Sequence, residues 1–288
     1  MNPKDPETFS KKEKFFPYKH WGQNFLICQR VLNQIIKAAD LKKSDVVLEV
    51  GPGLGALTEK LALKSGKIIA VEKDKKLAER LQKRLAVKNI KNVEIINNDI
   101  LKIENRQLTK NGYLKENGYK LVANIPYYIT GRLLRKFLET DFPPSLIVLT
   151  LQKEVAQRIC AEPPHLSKLA IFVQFYGQPK IISYVSKNCF WPRPKIDSAL
   201  IKITPRASTK KKMSKKKKEL FSRLVKAGFS QPRKQLLNNL SQELNLTRQE
   251  TQDWLKKNGI KPNQRAGTLT LKDWLRLTES LFLKNNKK

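Results

Sequence analysis

The feature that most restricts the fold of this chain is a repeated alternation between residues 46 and 160. Five short runs rich in Val, Ile and Leu occur at 46–50, 67–72, 93–99, 119–123 and 145–151. Helical spacing follows at 56–65, 75–88, 131–140 and 153–160, with Gly66 expected to stop the first of these helices. Short buried strands alternating with helices at this spacing predict a parallel, doubly wound α/β sheet.

In such a sheet, ligands bind beyond the carboxyl ends of the strands. Residues with chemistry to offer fall there. Gly51, Gly53 and Gly55 follow the first strand, Glu72 ends the second, Asp99 the third and Asn124 the fourth. The glycines let backbone approach a ligand and expose helix N–H groups. Their spacing is G-x-G-x-G, not the G-x-G-x-x-G of dinucleotide folds, and alone it marks only a strand-to-helix turn. Glu72 lies 21 residues past Gly51, the interval expected of a carboxylate that holds ribose hydroxyls. Taken singly, Glu72 reads as an exposed strand-end acid. Asp99 fits a helix N-cap as well as an acceptor for an adenine amino group.

A ribose and adenine site suits NAD and S-adenosylmethionine alike. The fourth strand discriminates, because it runs out into Asn124-Ile125-Pro126-Tyr127. Asn124 supplies an amide, Pro126 sets the direction of the Ile125 carbonyl, and Tyr127 offers a flat face. Two acceptors beside an aromatic suit a planar amino group, whose N–H bonds they orient for methyl transfer. Phe190 is the candidate for the opposite face of the base. An NAD oxidoreductase would need a proton donor that the chain does not evidently provide.

Charge supplies the partner class. The 288 residues carry 58 Lys and Arg against 25 Asp and Glu, a net +33. Such an excess suits a polyanion, foremost nucleic acid. Residues 201–288 alone hold 23 basic and 6 acidic residues. No apolar run reaches 18 residues, and the acid-containing first 20 residues do not resemble a secretory or organelle leader. The expectation is a cytoplasmic protein without a membrane segment. Cys28, Cys160 and Cys189 are widely spaced and read as reduced thiols, and with only His20 and His165 no metal site is expected.

The remaining chain organises around this domain. Residues 1–19 form a basic arm. Gln23, Asn24 and Phe25 read locally as the entry to a helix carrying Val31, Leu32, Ile35, Ile36 and Ala39. The stretch 169–176 fits helix or strand. Runs at 180–185 and 198–203 are strand-like, around an aromatic, proline-stiffened loop at 190–195. A lysine-rich linker spans 205–218, and helices are expected at 219–244, 248–257 and 271–283. The domains are thus an arm at 1–19, an α/β domain at 20–204, the linker, and a helical nucleic-acid-binding domain at 219–288. Lys215, Lys216, Arg233 and Lys234 are the candidate nucleic-acid contacts; the plain alternative for the lysine run is a solvated tail.

Several motifs together resemble the ribosomal RNA adenine dimethyltransferases. They are Gly22-Gln23-Asn24-Phe25-Leu26, the stretch from Glu49 to Thr58, Asn98-Asp99-Ile100-Leu101, Asn124-Ile125-Pro126-Tyr127, the stretch from Gln152 to Arg158, and the stretch from Phe190 to Ala199. The likeness runs from about 20 to 280 and includes Phe229 to Leu240 and Arg265-Ala266. It implies a class I, Rossmann-like methyltransferase sheet with an all-helical C-terminal domain. It also implies S-adenosylmethionine contacts at Asn24, Leu26, Gly51, Gly53, Glu72, Asp99 and Asn124, with the Gln23–Phe25 segment folded over the cofactor. The C-terminal matches favour the bacterial small-subunit enzymes, which dimethylate two adjacent adenosines in a hairpin loop near the rRNA 3′ end, over the macrolide-resistance enzymes of the large subunit. A ribosome-assembly factor with secondary methylase activity is a further alternative. A monomer acting on the small subunit is expected. Tyr128 and Pro232 stand where the family commonly has Asn and Arg.

Overall fold

A computed structural model of the chain describes residues 17, 22–110, 114, 118–206 and 213–285. The expected arm, apart from Pro17, and the middle of the linker (207–212) lie outside the described residues. The described residues form two compact units. One contains those up to Ala156 together with Pro179–Pro205; the other contains Gln157–Gln178 and those from Arg206 onward.

The first unit begins with a two-residue strand, β1 (Phe25–Leu26). The five expected strands follow as β2 (Val46–Val50), β3 (Lys67–Glu72), β4 (Val93–Asn97), β5 (Tyr119–Asn124) and β6 (Leu146–Gln152). Three more complete the set: β7 (Gly177–Val185), β8 (Phe190–Trp191) and β9 (Ser198–Pro205). The main sheet has the order β4-β3-β2-β5-β6-β9-β7. Strands β2 to β6 pair in parallel, and β9 runs antiparallel to β6. The order reverses between β2 and β5, which places a topological switch point at their carboxyl ends.

Helices α1 (Gln29–Ala39), α2 (Ala56–Lys64), α3 (Lys75–Val87), α4 (Asn105–Lys110), α5 (Thr130–Leu138) and α6 (Lys153–Ile159) link the strands. Val31, Leu32 and Ile35 of α1 and Leu61 of α2 are at most 1 % exposed and pack with Val47, Ile68, Val122 and Val148 of the sheet. Each such side chain contributes about 2 kcal/mol of burial, which fixes the floor of the strand-end region.

Local pattern reading fails at two places here. Phe25 does not open a helix. It pairs with Trp191, and Leu26 with Phe190, in an antiparallel ribbon of β1 and β8, and α1 starts only at Gln29. The same ribbon aligns Cys28 with Cys189, whose Cα atoms stand 4.9 Å apart and whose sulfurs are joined as a disulfide. This corrects the expectation of reduced thiols: 161 residues of sequence separate the pair, and only the ribbon brings it together. Gly66 does follow the end of α2, directly after its cap Ser65, but without the left-handed backbone of a usual glycine stop. A Cβ there would stand 2.3 Å from the Lys43 carbonyl oxygen, so close backbone approach demands the glycine.

The second unit is helical. It comprises α7 (Lys168–Tyr176), α8 (Lys215–Gly228), α9 (Leu236–Leu244), α10 (Arg248–Lys257) and α11 (Leu271–Asn285). The ambiguous stretch is thus the helix α7. Its Ala170, Ile171 and Phe175 are buried among Phe221, Leu224 and Trp274, and the Phe175 and Phe221 rings stack at 4.3 Å. That packing draws Gln157–Gln178 into this unit, out of the contiguous 20–204 domain read from sequence. The expected linker also ends early, because Ser214 caps α8 by accepting the Lys217 N–H at 3.4 Å. The single helix expected at 219–244 is broken after Gly228, which has no room for a side chain: a Cβ would meet the Trp274 ring at 2.3 Å. Asn239, 2 % exposed, then holds the turn by donating to the carbonyls of Gly228 (2.7 Å) and Gln231 (3.0 Å).

Candidate active site

The carboxyl ends of β2, β3 and β5 converge through one hydrogen-bond network. Glu72, at the end of β3, is 6 % exposed. Its Oε2 accepts the Gly53 N–H at 3.0 Å and its Oε1 the Asp74 N–H at 2.9 Å. Burial pushes its carboxyl above the ordinary value, against the lowering effect of those N–H donors. The exposed strand-end reading of Glu72 is therefore set aside. Gly53 has φ +55°, and a Cβ on it would stand 2.8 Å from the Phe25 ring, so the glycine lets β1 lie across the loop.

The segment before α1 is tied down at two points. Gln23 Nε2 donates to Asp74 at 3.3 Å, and Asn124 Nδ2 donates to the Asn24 carbonyl at 3.0 Å. The second bond decides how the Asn124 amide is used. Its N–H₂ holds the backbone of Asn24, which leaves Oδ1 as the acceptor. Next in the chain, Ile125 is 2 % exposed and Pro126 has φ −58° and ψ 132°. Tyr127 opens a single 3-10 turn, and its backbone carbonyl accepts the Thr130 hydroxyl at 2.9 Å.

Asp99 lies beyond β4 and serves its own turn. Its Oδ1 accepts the Leu101 N–H at 3.0 Å and its Oδ2 pairs with Lys73 at 3.1 Å. Partial burial alone would raise its carboxyl; the Leu101 N–H and the Lys73 ammonium outweigh that and hold it below the usual range. Leu26 is 5 % exposed in β1. Phe190 is 3 % exposed and packed in the core with Leu26 and Leu200. In this conformation it anchors β8 and does not present a stacking face. Tyr128 is 51 % exposed, and its ring reaches 3.6 Å from where a Gly22 Cβ would stand. The residue at which this chain departs from the usual motif thus packs on the segment that crosses the site.

The match to known proteins agrees with this geometry. Residues 17–282 match the family profile described as ribosomal RNA adenine dimethylase. The chain belongs to the ribosomal RNA adenine dimethylase family. It is 44 % identical over 258 residues to a ribosomal RNA small subunit methyltransferase A of Dehalococcoides mccartyi, covering 89 % of this chain and 85 % of that protein. It is 37 % identical to one from Alkaliphilus metalliredigens, covering 98 % and 97 %. Among solved structures it is similar to a dimethyladenosine transferase from Plasmodium falciparum, with a TM-score of 0.75, 26 % identity and coverage of 91 % and 98 %. It is also similar to the 23S rRNA methyltransferase ErmE, with a TM-score of 0.71, 25 % identity and coverage of 90 % and 100 %. As a member of this family the dimethylase is an enzyme that uses S-adenosylmethionine on rRNA adenine, built on the class I methyltransferase sheet.

The residues of this chain fit that cofactor. Gly51 has φ +66°, and a Cβ on it would meet nothing within 4 Å, so open space lies beside the loop. A carboxylate has about four lone-pair positions, and Glu72 spends one per oxygen on backbone, leaving acceptors for two ribose hydroxyls. Glu72→Ala is accordingly expected to weaken cofactor binding roughly 10- to 100-fold by calorimetry, since it removes the acceptors for two ribose hydroxyls, each such bond being worth about 0.5–1.5 kcal/mol. Unchanged affinity would return Glu72 to a purely architectural role.

The sequence reading overlooked Asp74, which caps α3 through the N–H groups of Lys76 (2.9 Å) and Leu77 (3.4 Å) while receiving Gln23. Its signal was present: an Asp directly before an amphipathic lysine-rich helix is an N-cap pattern.

Proposed function

We propose that this dimethylase transfers methyl groups to N6 of two adjacent adenosines in a hairpin loop near the 3′ end of 16S rRNA, in the small ribosomal subunit. The observation that supports the chemistry is the Asn124 Nδ2 bond to the Asn24 carbonyl, which leaves Oδ1 available to an incoming amine. S-adenosylmethionine, when bound, supplies an electrophilic methyl sulfonium. Asn24, Leu26, Gly51, Gly53, Glu72, Asp99 and Asn124 form the set that would hold it.

The protein's own part is positioning. Asn124 Oδ1 and the Ile125 carbonyl accept the two N–H bonds of the adenine amine and draw its lone pair out of conjugation. Tyr127 stacks on the base. No strong base is needed, because the methyl donor is already activated and orientation carries most of the barrier reduction. A monomethylated amine retains one N–H and remains a substrate. Extrusion of the adenosine costs roughly a few kcal/mol, less from a loop than from a duplex.

The second unit supplies the RNA grip in this reading. Lys215 and Lys216 are exposed in the first turn of α8, which contains no acidic residue. Positive charge at the positive pole of a helix is intrinsically unfavourable, and phosphate offsets it. Arg233 and Lys234 are exposed on the turn held by Asn239. Replacing Lys215 and Lys216 by Gln should reduce the slope of log affinity against log salt by about 1–2. An unchanged slope would make them solvated charges only.

The deciding experiment is methylation of small and large subunits purified from a strain lacking the modification, with labelled cofactor and mapping of the modified bases. Label confined to two adjacent adenosines of the small subunit supports the proposal. Label on large-subunit rRNA would favour the second reading, motivated by the similarity to ErmE. The proposal includes action as a cytoplasmic monomer in small-subunit biogenesis; among the described residues no helix is long and apolar enough to cross a membrane.

A further inference from the structure

The hydroxyl of Tyr127 has a partner that neither the motif nor the family description accounts for. Its oxygen lies 2.7 Å from Ser198 Oγ, a contact between residues 71 positions apart. Ser198 is wholly buried at the start of β9, opposite Gln152 at the end of β6. The residue before it is held on two further sides. The Asp197 carbonyl accepts the Lys153 N–H at 3.1 Å, and its carboxylate accepts the Lys187 N–H at 3.0 Å. Ser198 therefore sits on a corner of the sheet that has little freedom to move.

Tyr127 is fixed at its other end as well. The Pro126 carbonyl accepts the Ile129 N–H at 3.2 Å, and the Tyr127 carbonyl accepts the Thr130 hydroxyl at 2.9 Å. The backbone is thereby set, and the remaining freedom of the ring is rotation about its side-chain bonds. A hydrogen bond at the phenolic oxygen removes most of the swing at the far end. Burial pushes the phenol above its ordinary value, so the group stays protonated and keeps its donor.

We infer that Ser198 is a positioning residue for methyl transfer, holding the Tyr127 ring in the place where the target adenine stacks, through the Tyr127 Oη to Ser198 Oγ hydrogen bond. Ser198 touches neither base nor cofactor in this role; it acts through the tyrosine. The inference rests on the adenine reading of the Asn124 to Tyr127 corner and adds the group that sets its aromatic wall. Small displacements of a positioned reactant cost rate steeply, on the order of 100-fold per ångström. The effect should appear in kcat and in base capture, with cofactor affinity unchanged.

The test is a double-mutant cycle on the full chain, with unmodified small subunits as substrate. Ser198→Ala and Tyr127→Phe should each lower kcat at least about 10-fold, with the KM for S-adenosylmethionine within twofold of wild type. The double variant should be no worse than either single one, because both remove one bond. A substrate carrying 8-vinyladenosine, a fluorescent adenosine that keeps the N6 amine, at the target position gives a second readout, since stacking on Tyr127 quenches its emission and both variants should lose quenching. Wild-type kcat in Ser198→Ala, or fully additive losses in the cycle, overturns the inference. Should Ser198→Ala not fold, Tyr127→Phe removes the same bond from the other side, and wild-type kcat and quenching in that variant overturn the inference alone. A wild-type chain that labels neither subunit overturns the substrate reading instead.

Discussion

Asn124→Ala is expected to reduce methylation of unmodified small subunits by about 1,000-fold or more while weakening cofactor binding only about 2- to 10-fold. Two losses separate in that variant. The first is Oδ1, the acceptor proposed to orient the amine; removing one preorganised polar partner of a reacting group typically costs 10²–10³ in turnover, and the collapse of the adjoining contacts adds to it. The second is the Nδ2 bond to the Asn24 carbonyl at 3.0 Å. That is one hydrogen bond holding one side of a segment that Gln23 also anchors to Asp74, and a single such bond is worth about 0.5–1.5 kcal/mol. Asn124→Asp isolates the two. It keeps an acceptor but sets a carboxylate against the Asn24 carbonyl, so cofactor affinity should fall further than in Asn124→Ala. Single-turnover methylation and calorimetry on the same preparations read both effects. Turnover within tenfold of wild type in Asn124→Ala would remove the side chain from the mechanism.

The strand ends were legible because their signal is local. A run of Val, Ile and Leu followed by Gly, Glu, Asp or Asn marks a strand and its terminus without knowledge of any neighbour. All five parallel strands fall where their runs lie, and Asn124 closes β5. What stayed hidden depends on partners far along the chain. The ribbon of β1 and β8 has two residues per strand, too few for an alternation to register, and joins segments more than 160 positions apart. The Cys28–Cys189 bridge follows from that ribbon. Gly66 looked like an ordinary helix stop and Gly228 like an interior residue of one long helix, whereas the Lys43 carbonyl and the Trp274 ring exclude a side chain at these positions. Ser198 lies inside the Phe190 to Ala199 motif, but nothing there gave it a role, because a serine at a strand start is unremarkable until the Tyr127 hydroxyl is placed 2.7 Å away. Phe190 shows the converse: the motif suggested a stacking face, and its pairing with Leu26 buries it to 3 % exposure.

Glu49→Gln should stabilise the protein in alkali and not in acid, by several kcal/mol at the extreme. Glu49 shares a face of β2 with Val47, against α2, and is 1 % exposed. Its Oε2 has no hydrogen-bond partner among the described residues. Burial raises its carboxyl to about 8; the neighbouring Thr58 eases the shift and the charge of Glu72 adds to it. The folded state therefore retains a proton that the unfolded chain releases near its ordinary value of about 4.5. Between those two values the unfolded state binds fewer protons, so wild-type stability falls as pH rises from about 4.5 and levels off above about 8. At 1.36 kcal/mol per unit the full span is on the order of 5 kcal/mol as an upper limit. Glutamine cannot ionise, so its curve lacks this descent; its second buried N–H costs about 1–3 kcal/mol at every pH. Denaturant melts at pH 5, 7 and 9 should thus find the variant less stable at pH 5 and more stable at pH 9. Parallel curves would mean that Glu49 does not hold its proton in the folded state. The charge of Glu72 opposes ionisation of Glu49, and burial works against ionisation of Glu72, with the charge of Asp74 adding to it. A neutral Glu49 takes one opposing charge away from Glu72, whose oxygens accept from Gly53 and Asp74 and, in the proposed reading, from a ribose.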